Sequence, residues 1–273
     1  MKKLFGLLVG AVLSLGVLFC GFGGSVSATE SVLATEGGSA AATASENTVS
    51  VDRTFEFTKE ELEDKAFLFF GDSLTARYGL SAGDLDYIQI LRSEFGFYSY
   101  NGAVSGATWT VDGKSGAEHN TNHLFSQLEK AKILIRDADY ISIMLGTNDY
   151  GWGVRPLGSI SDNPTAKEEA TTVYGAIRYA LDYIIAANSD VKIMLMTPPL
   201  WLSNGFDKEN SVGVTLGEVR EAVKAVGAEY GCKVVDMSAA LPSEERYFNS
   251  DKLHISPLGY EKLSEYIKNY GKN

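Results

Sequence analysis

The stretch AFLFFGDSL, residues 66–74, decides how the rest of the chain is read. Ala66, Phe67, Leu68, Phe69 and Phe70 form a short continuous apolar run, which predicts a strand buried on both faces. Gly71, Asp72 and Ser73 follow at once, and all three residue types favour turns, so the strand stops there. Ser73 is therefore either a turn residue or a hydroxyl held up at the end of a strand.

Four further runs of strand character occur at 97–100, 140–145, 191–197 and 232–237. Helical periodicity separates them. Leu85, Ile88, Leu91 and Phe95 share one face of 84–95, and Leu124, Leu128, Ala131 and Ile135 make a second stripe. Val173, Ile177, Ala180, Leu181 and Ile184 make a third, and 216–230 and 258–270 complete the set. Alternating strand and helix predicts an α/β fold: a three-layer α/β/α (flavodoxin-like) arrangement around a central, mostly parallel five-stranded sheet. In such sheets ligands bind beyond the carboxyl ends of the strands. The loops at 71–73, 101–106, 146–149 and 197–199 are polar or rich in Gly and Pro, and that edge would gather them.

The first 28 residues read as a secretory signal peptide. Lys2 and Lys3 precede an apolar run to about Gly24, and Val26-Ser27-Ala28 supplies a small-residue cleavage pattern. Residues 32–34 offer a second cut, and an uncleaved anchor is the alternative, since the run approaches spanning length. A lipid anchor on Cys20 is disfavoured by bulky Phe19. Residues 29–50, rich in Ala, Ser and Thr, lack apolar periodicity and read as a flexible linker. One folded domain is expected over 51–273, with the mature protein secreted and no membrane partner. Two of the 24 Lys and Arg lie in the leader, leaving 22 against 35 Asp and Glu, a net charge of −13. That balance argues against nucleic acid. Cys232 alone remains after cleavage, so no internal disulfide is expected, and it opens an apolar run where packing is its natural role.

Three histidines bound the chemistry. His254 lies in DKLHISPLGY, with Asp251 three residues before it and Ser256-Pro257 reading as the N-cap and first residue of the last helix. A carboxylate at that spacing orients one imidazole nitrogen and leaves the other as a base. A serine hydroxyl needs such a base before it attacks a carbonyl. Gly106, in the loop after the second run, lets a backbone N–H approach a ligand closely. Asn148, after the third run, offers two amide donors. Each feature alone is an ordinary loop feature. Together, at strand ends and in the closing loop, they supply the parts of an acyl transfer.

The set resembles the SGNH hydrolase superfamily, the GDSL esterases and lipases, and in particular its secreted carbohydrate acetylesterases. Four blocks appear in order: Gly71-Asp72-Ser73-Leu74, 101–106, Gly146-Thr147-Asn148-Asp149 and Asp251-Lys252-Leu253-His254. The resemblance covers the chain from about Ala66 onward. It implies Ser73 as nucleophile, His254 as base and Asp251 as its orienting acid. The backbone N–H groups of Ser73 and Gly106 with the Asn148 side chain would form the oxyanion hole. Asp72 and Asp149 are assigned loop-ordering roles.

Five aromatic residues, Tyr78, Trp109, Tyr150, Trp152 and Trp201, fall in or just beyond these loops and are expected to line the substrate cleft, or else to anchor its loops. His119 and His123 stand four apart but lack further ligands, so no metal and no cofactor is expected. The resulting expectation is a secreted esterase that removes small acyl groups, acetyl above all, from an acylated carbohydrate. Hemicellulose and cell-wall glycan are the polymers in view. The alternatives are a lipase, lysophospholipase or thioesterase on longer chains, or a non-catalytic glycan-binding domain on the same fold.

Overall fold

The computed structural model describes residues 51–113 and 122–272. The leader, the linker and His119 lie outside the described residues. Five strands form one sheet: β1 (Ala66–Gly71), β2 (Tyr98–Asn101), β3 (Tyr140–Met144), β4 (Lys192–Met196) and β5 (Lys233–Val235). They run in the order β2-β1-β3-β4-β5, and every pairing is parallel. The helices are α1 (Lys59–Leu62), α2 (Tyr87–Phe95), α3 (Leu124–Lys130), α4 (Lys132–Arg136), α5 (Thr147–Trp152), α6 (Val173–Ala187), α7 (Leu216–Glu229) and α8 (Pro257–Asn269). Among the described residues, no helix is long and apolar enough to cross a membrane.

Register explains why β1 is apolar on both sides. Phe67 pairs with Tyr140 and Gly71 with Met144, so residues of one parity share a face. Phe67, Phe69, Tyr140, Met144, Met194 and Met196 join a core with Tyr87 and Leu91 of α2 and Tyr260 and Leu263 of α8. Leu68, Phe70, Ile141, Ile143, Ile193 and Leu195, of opposite parity, are equally buried on the other face. A strand covered by helices on both sides has no polar face to show.

The ends of these elements follow local chemistry. Asp86 and Gln89 close a capping box at α2, and Gly96 ends that helix in the left-handed region. Thr215 and Glu218 cap α7 in the same way, while Ser256 caps α8 with Pro257 at its start. Two expectations need correction. Leu85 precedes α2 and is exposed, because the Asp86 cap starts the helix at Tyr87. The stripe at 124–135 is split at Ala131 into α3 and α4.

The strand order reverses direction between β1 and β3, and the ends of these two strands carry Ser73 and Asn148. Such a switch point opens a crevice at the sheet's carboxyl edge. Gln127 of α3, buried, secures the end of β1. Its Oε1 accepts from Gly71 N–H at 3.0 Å and its Nε2 donates to Gly71 C=O at 2.8 Å. Val104 N–H reaches the same carbonyl at 3.1 Å. Replacing Gln127 by Leu leaves the Gly71 N–H buried without a partner, a loss of about 2 kcal/mol. Urea unfolding is expected to show a lowered midpoint for Gln127→Leu, and an unchanged midpoint would contradict this role.

Candidate active site

Gly71 lets the chain turn at the end of β1. A Cβ there would lie 2.4 Å from Thr75 Oγ1 and 2.8 Å from the Met144 carbonyl, so the position has no room for a side chain. Asp72 then turns inward, and Ser73 takes the cleft. The segment that follows Ser73 is a series of turns. It is held by Ala76 N–H donating to Asp72 C=O at 2.9 Å and Tyr78 N–H donating to Ser73 C=O at 3.0 Å. Tyr260 of α8 donates from its phenol to Leu74 C=O at 2.6 Å. Asn101, at the end of β2, donates to Thr75 C=O at 2.8 Å.

His254 arrives on the loop that enters α8. Its Nε2 lies 2.9 Å from Ser73 Oγ, and its Nδ1 lies 2.6 Å from Asp251 Oδ2. The other Asp251 oxygen accepts the backbone N–H of Leu253 at 3.0 Å and of His254 at 2.9 Å. Partial burial raises the Asp251 carboxyl, but these bonds outweigh it and hold the group below the ordinary carboxylate range. The carboxylate therefore stays ionised beside the imidazole. The intervening Lys252 has φ +59°, the left-handed conformation that closes the turn between acid and base.

Gly106 and Asn148 face the same cleft as Ser73. Asn148 donates to Ala107 C=O at 3.0 Å, which fixes its amide, and its nitrogen lies 3.4 Å from Asp72 Oδ2. Among the described residues, neither Ser73 N–H nor Gly106 N–H is used by a backbone acceptor. Serine hydroxyl, imidazole and these donors thus border one space of about 530 Å³.

Two buried carboxylates support the loops. Asp149 accepts from Trp109 N–H at 2.9 Å, Thr110 N–H at 3.1 Å and the Thr110 hydroxyl at 2.9 Å. Asp72 accepts from Leu74 N–H at 3.0 Å and, at a longer 3.4 Å, from the Asn148 amide. Burial pushes the Asp72 carboxyl up to about 7, against the Leu74 bond and with help from the nearby Asp149 charge.

The five aromatic residues separate. Tyr78, Trp152 and Trp201 line the cleft. Trp109 and Tyr150 do not, and the expectation that they do is corrected: both are buried. Asp149 draws the backbone of Trp109 beneath α5, and Tyr150 packs edge-on behind Trp201 with ring centroids 5.8 Å apart. Gly151 lies against the same indole, where an added Cβ would come within 3.1 Å. Arg220 anchors the segment before Trp201 by bonding the Pro198 carbonyl and Asp236. His123 caps α3, accepting the Ser126 N–H at 3.3 Å, and burial holds its imidazole below the usual range. Cys232 is buried, which pushes its thiol up to about 12.

Ser105, Gly151 and Leu253 also line the cleft, and the sequence did not single them out. Ser105 and Leu253 stand beside Gly106 and His254, a hint of proximity that composition alone does not convert into a role. Gln127 and Tyr260 are likewise legible only as helix residues near apolar stripes.

The chain matches the GDSL-like lipase/acylhydrolase family over residues 69–262. One solved structure aligns at 25% identity with a TM-score of 0.64, covering 77% of this chain and 96% of its own. A structure described as a GDSL-like lipase from Bacteroides ovatus aligns at 21% identity, TM-score 0.55, covering 76% and 98%. A variant of an acetyl-xylooligosaccharide esterase from Geobacillus stearothermophilus aligns at 22% identity, TM-score 0.51, covering 76% and 93%. No curated protein matches. With the family match spanning both the Ser73 and the His254 loops, this chain belongs to the GDSL-like lipase/acylhydrolase family, within the SGNH hydrolase superfamily.

Proposed function

We propose that the mature protein is a secreted serine esterase that removes small acyl groups, principally acetyl, from carbohydrate. The observation that carries the chemistry is the continuous line Asp251–His254–Ser73, with contacts of 2.6 and 2.9 Å. The line ends in a cleft whose size is ordinary for a small-molecule site. The carbohydrate half of the reading is supported by two aromatic side chains exposed in that cleft, Tyr78 at 54% and Trp152 at 36%. Such rings suit the flat apolar face of a sugar. The similarity in fold to an acetyl-xylooligosaccharide esterase is consistent with this substrate class.

The steps follow from the positions. Ser73 Oγ attacks the ester carbonyl as its proton passes to His254 Nε2, and Asp251 stabilises the imidazolium. The carbonyl oxygen becomes an oxyanion beside Ser73 N–H, Gly106 N–H and the Asn148 amide. His254 then gives the proton to the departing alcohol oxygen, which leaves an acyl-serine. Water adds to that ester with the same base, and the acid and free serine are released. Asp149 and Asp72 hold the loops that carry these donors.

Acetate release from acetylated xylan and from O-acetylated peptidoglycan, measured side by side, tests the reading. Ser73→Ala is expected to lower kcat by about 10⁴-fold or more with the circular dichroism spectrum unchanged. Residual turnover within about a hundredfold of the parent would sink the assignment of Ser73. Aryl esters of increasing chain length should peak at acetyl, and a maximum at long chains would move the substrate to lipids.

Asp72 generates a separate expectation. Its raised folded-state pKa means that the native protein keeps a proton that the unfolded chain loses above about 4. Its contribution is thus fully present below that pH and is lost as pH rises through about 7. Asp72→Asn removes this titration, so the melting temperature of the variant minus that of the parent should climb between about pH 4 and 7. A difference that stays flat over that interval would contradict a proton on Asp72.

A further inference from the structure

The hydrolytic steps themselves do not use Tyr78, yet beyond bordering the cleft its placement is closely controlled. Its ring lies over the His254 imidazole, with centroids 4.3 Å apart and planes inclined at 40°. The ring is more than half exposed and takes no part in the hydrophobic core, so core packing does not explain it. Its backbone, by contrast, is fixed on both sides by unusual conformations. Arg77 has φ +64°, a left-handed state that side chains other than glycine seldom adopt. Its guanidinium is held by Asp86 at 3.1 Å and donates to Asp84 C=O at 2.7 Å. Gly79 has φ +81°, and an added Cβ there would lie 2.4 Å from Asn249 Nδ2.

Those constraints connect the two halves of the site. Asn249 donates its N–H to His254 C=O at 2.7 Å, so the residue packed on Gly79 belongs to the histidine's own loop. Tyr78 N–H, for its part, bonds Ser73 C=O at 3.0 Å. Backbone strain such as that at Arg77, maintained by a salt bridge, is a mark of functional sites. Here it delivers one ring to one imidazole.

We propose that Tyr78 is a positioning residue for the general base: its ring holds the imidazole in the orientation that meets Ser73 and favours the imidazolium formed during attack. The proposal rests on the esterase reading above. Two physical effects combine. A neighbouring ring at this distance restricts rotation of the imidazole away from Ser73, which preserves the near-attack geometry. A π-face within about 6 Å of a cation also attracts it, so the benefit appears when His254 carries the proton and not in the resting state. An effect confined to the transition state alters kcat and leaves substrate binding little changed.

The test compares Tyr78→Leu and Tyr78→Phe with the parent, using 4-nitrophenyl acetate, a small ester with no sugar to stack. Tyr78→Leu is expected to lower kcat about tenfold with KM changed by less than about threefold. Tyr78→Phe keeps the ring and should restore kcat to within about twofold. Because Tyr78 is exposed, melting temperatures should agree within about 2 °C, which separates positioning from folding. The ring-current shift on the His254 imidazole protons, read by NMR, should be present in the parent and Phe variant and absent in the Leu variant. An unchanged kcat in Tyr78→Leu would overturn the proposal, as would a rise confined to KM or an equal loss in Tyr78→Phe. A parent that hydrolyses no ester would instead overturn the esterase reading, and this proposal would fall with it.

Discussion

The 2.9 Å contact between Ser73 Oγ and His254 Nε2 joins groups 181 residues apart, and it exists only because both are mounted rigidly. A loop on each side with ordinary freedom would spread that distance over several ångströms and leave the hydroxyl out of reach of the imidazole. The serine's mount is the end of β1, bonded on both sides within the sheet and closed by Gln127. The histidine's mount is the start of α8, whose Tyr260 reaches back to the serine's own turn at 2.6 Å. Sheet and helix therefore meet around the Ser73–His254 contact.

Charge is distributed to match. Asp251 is partly exposed and rich in donors, which keeps it ionised beside the imidazole. Asp149 is buried, which raises its carboxyl against three donors, and it draws the Trp109 backbone under α5. Asp72 is buried with a poorer set of donors, and its carboxyl rises toward neutrality. Burial thus raises both Asp72 and Asp149, while the bonds to the partly exposed Asp251 hold it below the ordinary range.

Much of this was legible in the sequence, for identifiable reasons. The strands announce themselves because a sheet covered on both faces needs unbroken apolar runs, as in 66–70 and 140–145. The serine, histidine and aspartate could be assembled because loops after parallel strands converge on one edge. The aromatic residues were less legible. Trp109 and Trp152 both look like loop residues, yet one lies beneath α5 and the other lines the cleft. The difference comes from where Asp149 pulls the backbone, a long-range bond that local pattern does not contain. The role of Gln127 is absent from the local pattern for the same reason, since its partner is 56 residues away. Leu85 and Ala131 show the reverse error, in which a periodic stripe was extended past a cap and a break.

On the function proposed above, Ser73 is a nucleophile activated by His254. The most direct measurement is covalent labelling with a serine-directed fluorophosphonate, followed by intact mass and peptide mapping. One adduct on the peptide containing Ser73 is predicted, with a labelling rate that collapses in His254→Ala. Labelling at another serine, or a rate indifferent to the loss of His254, would contradict the account.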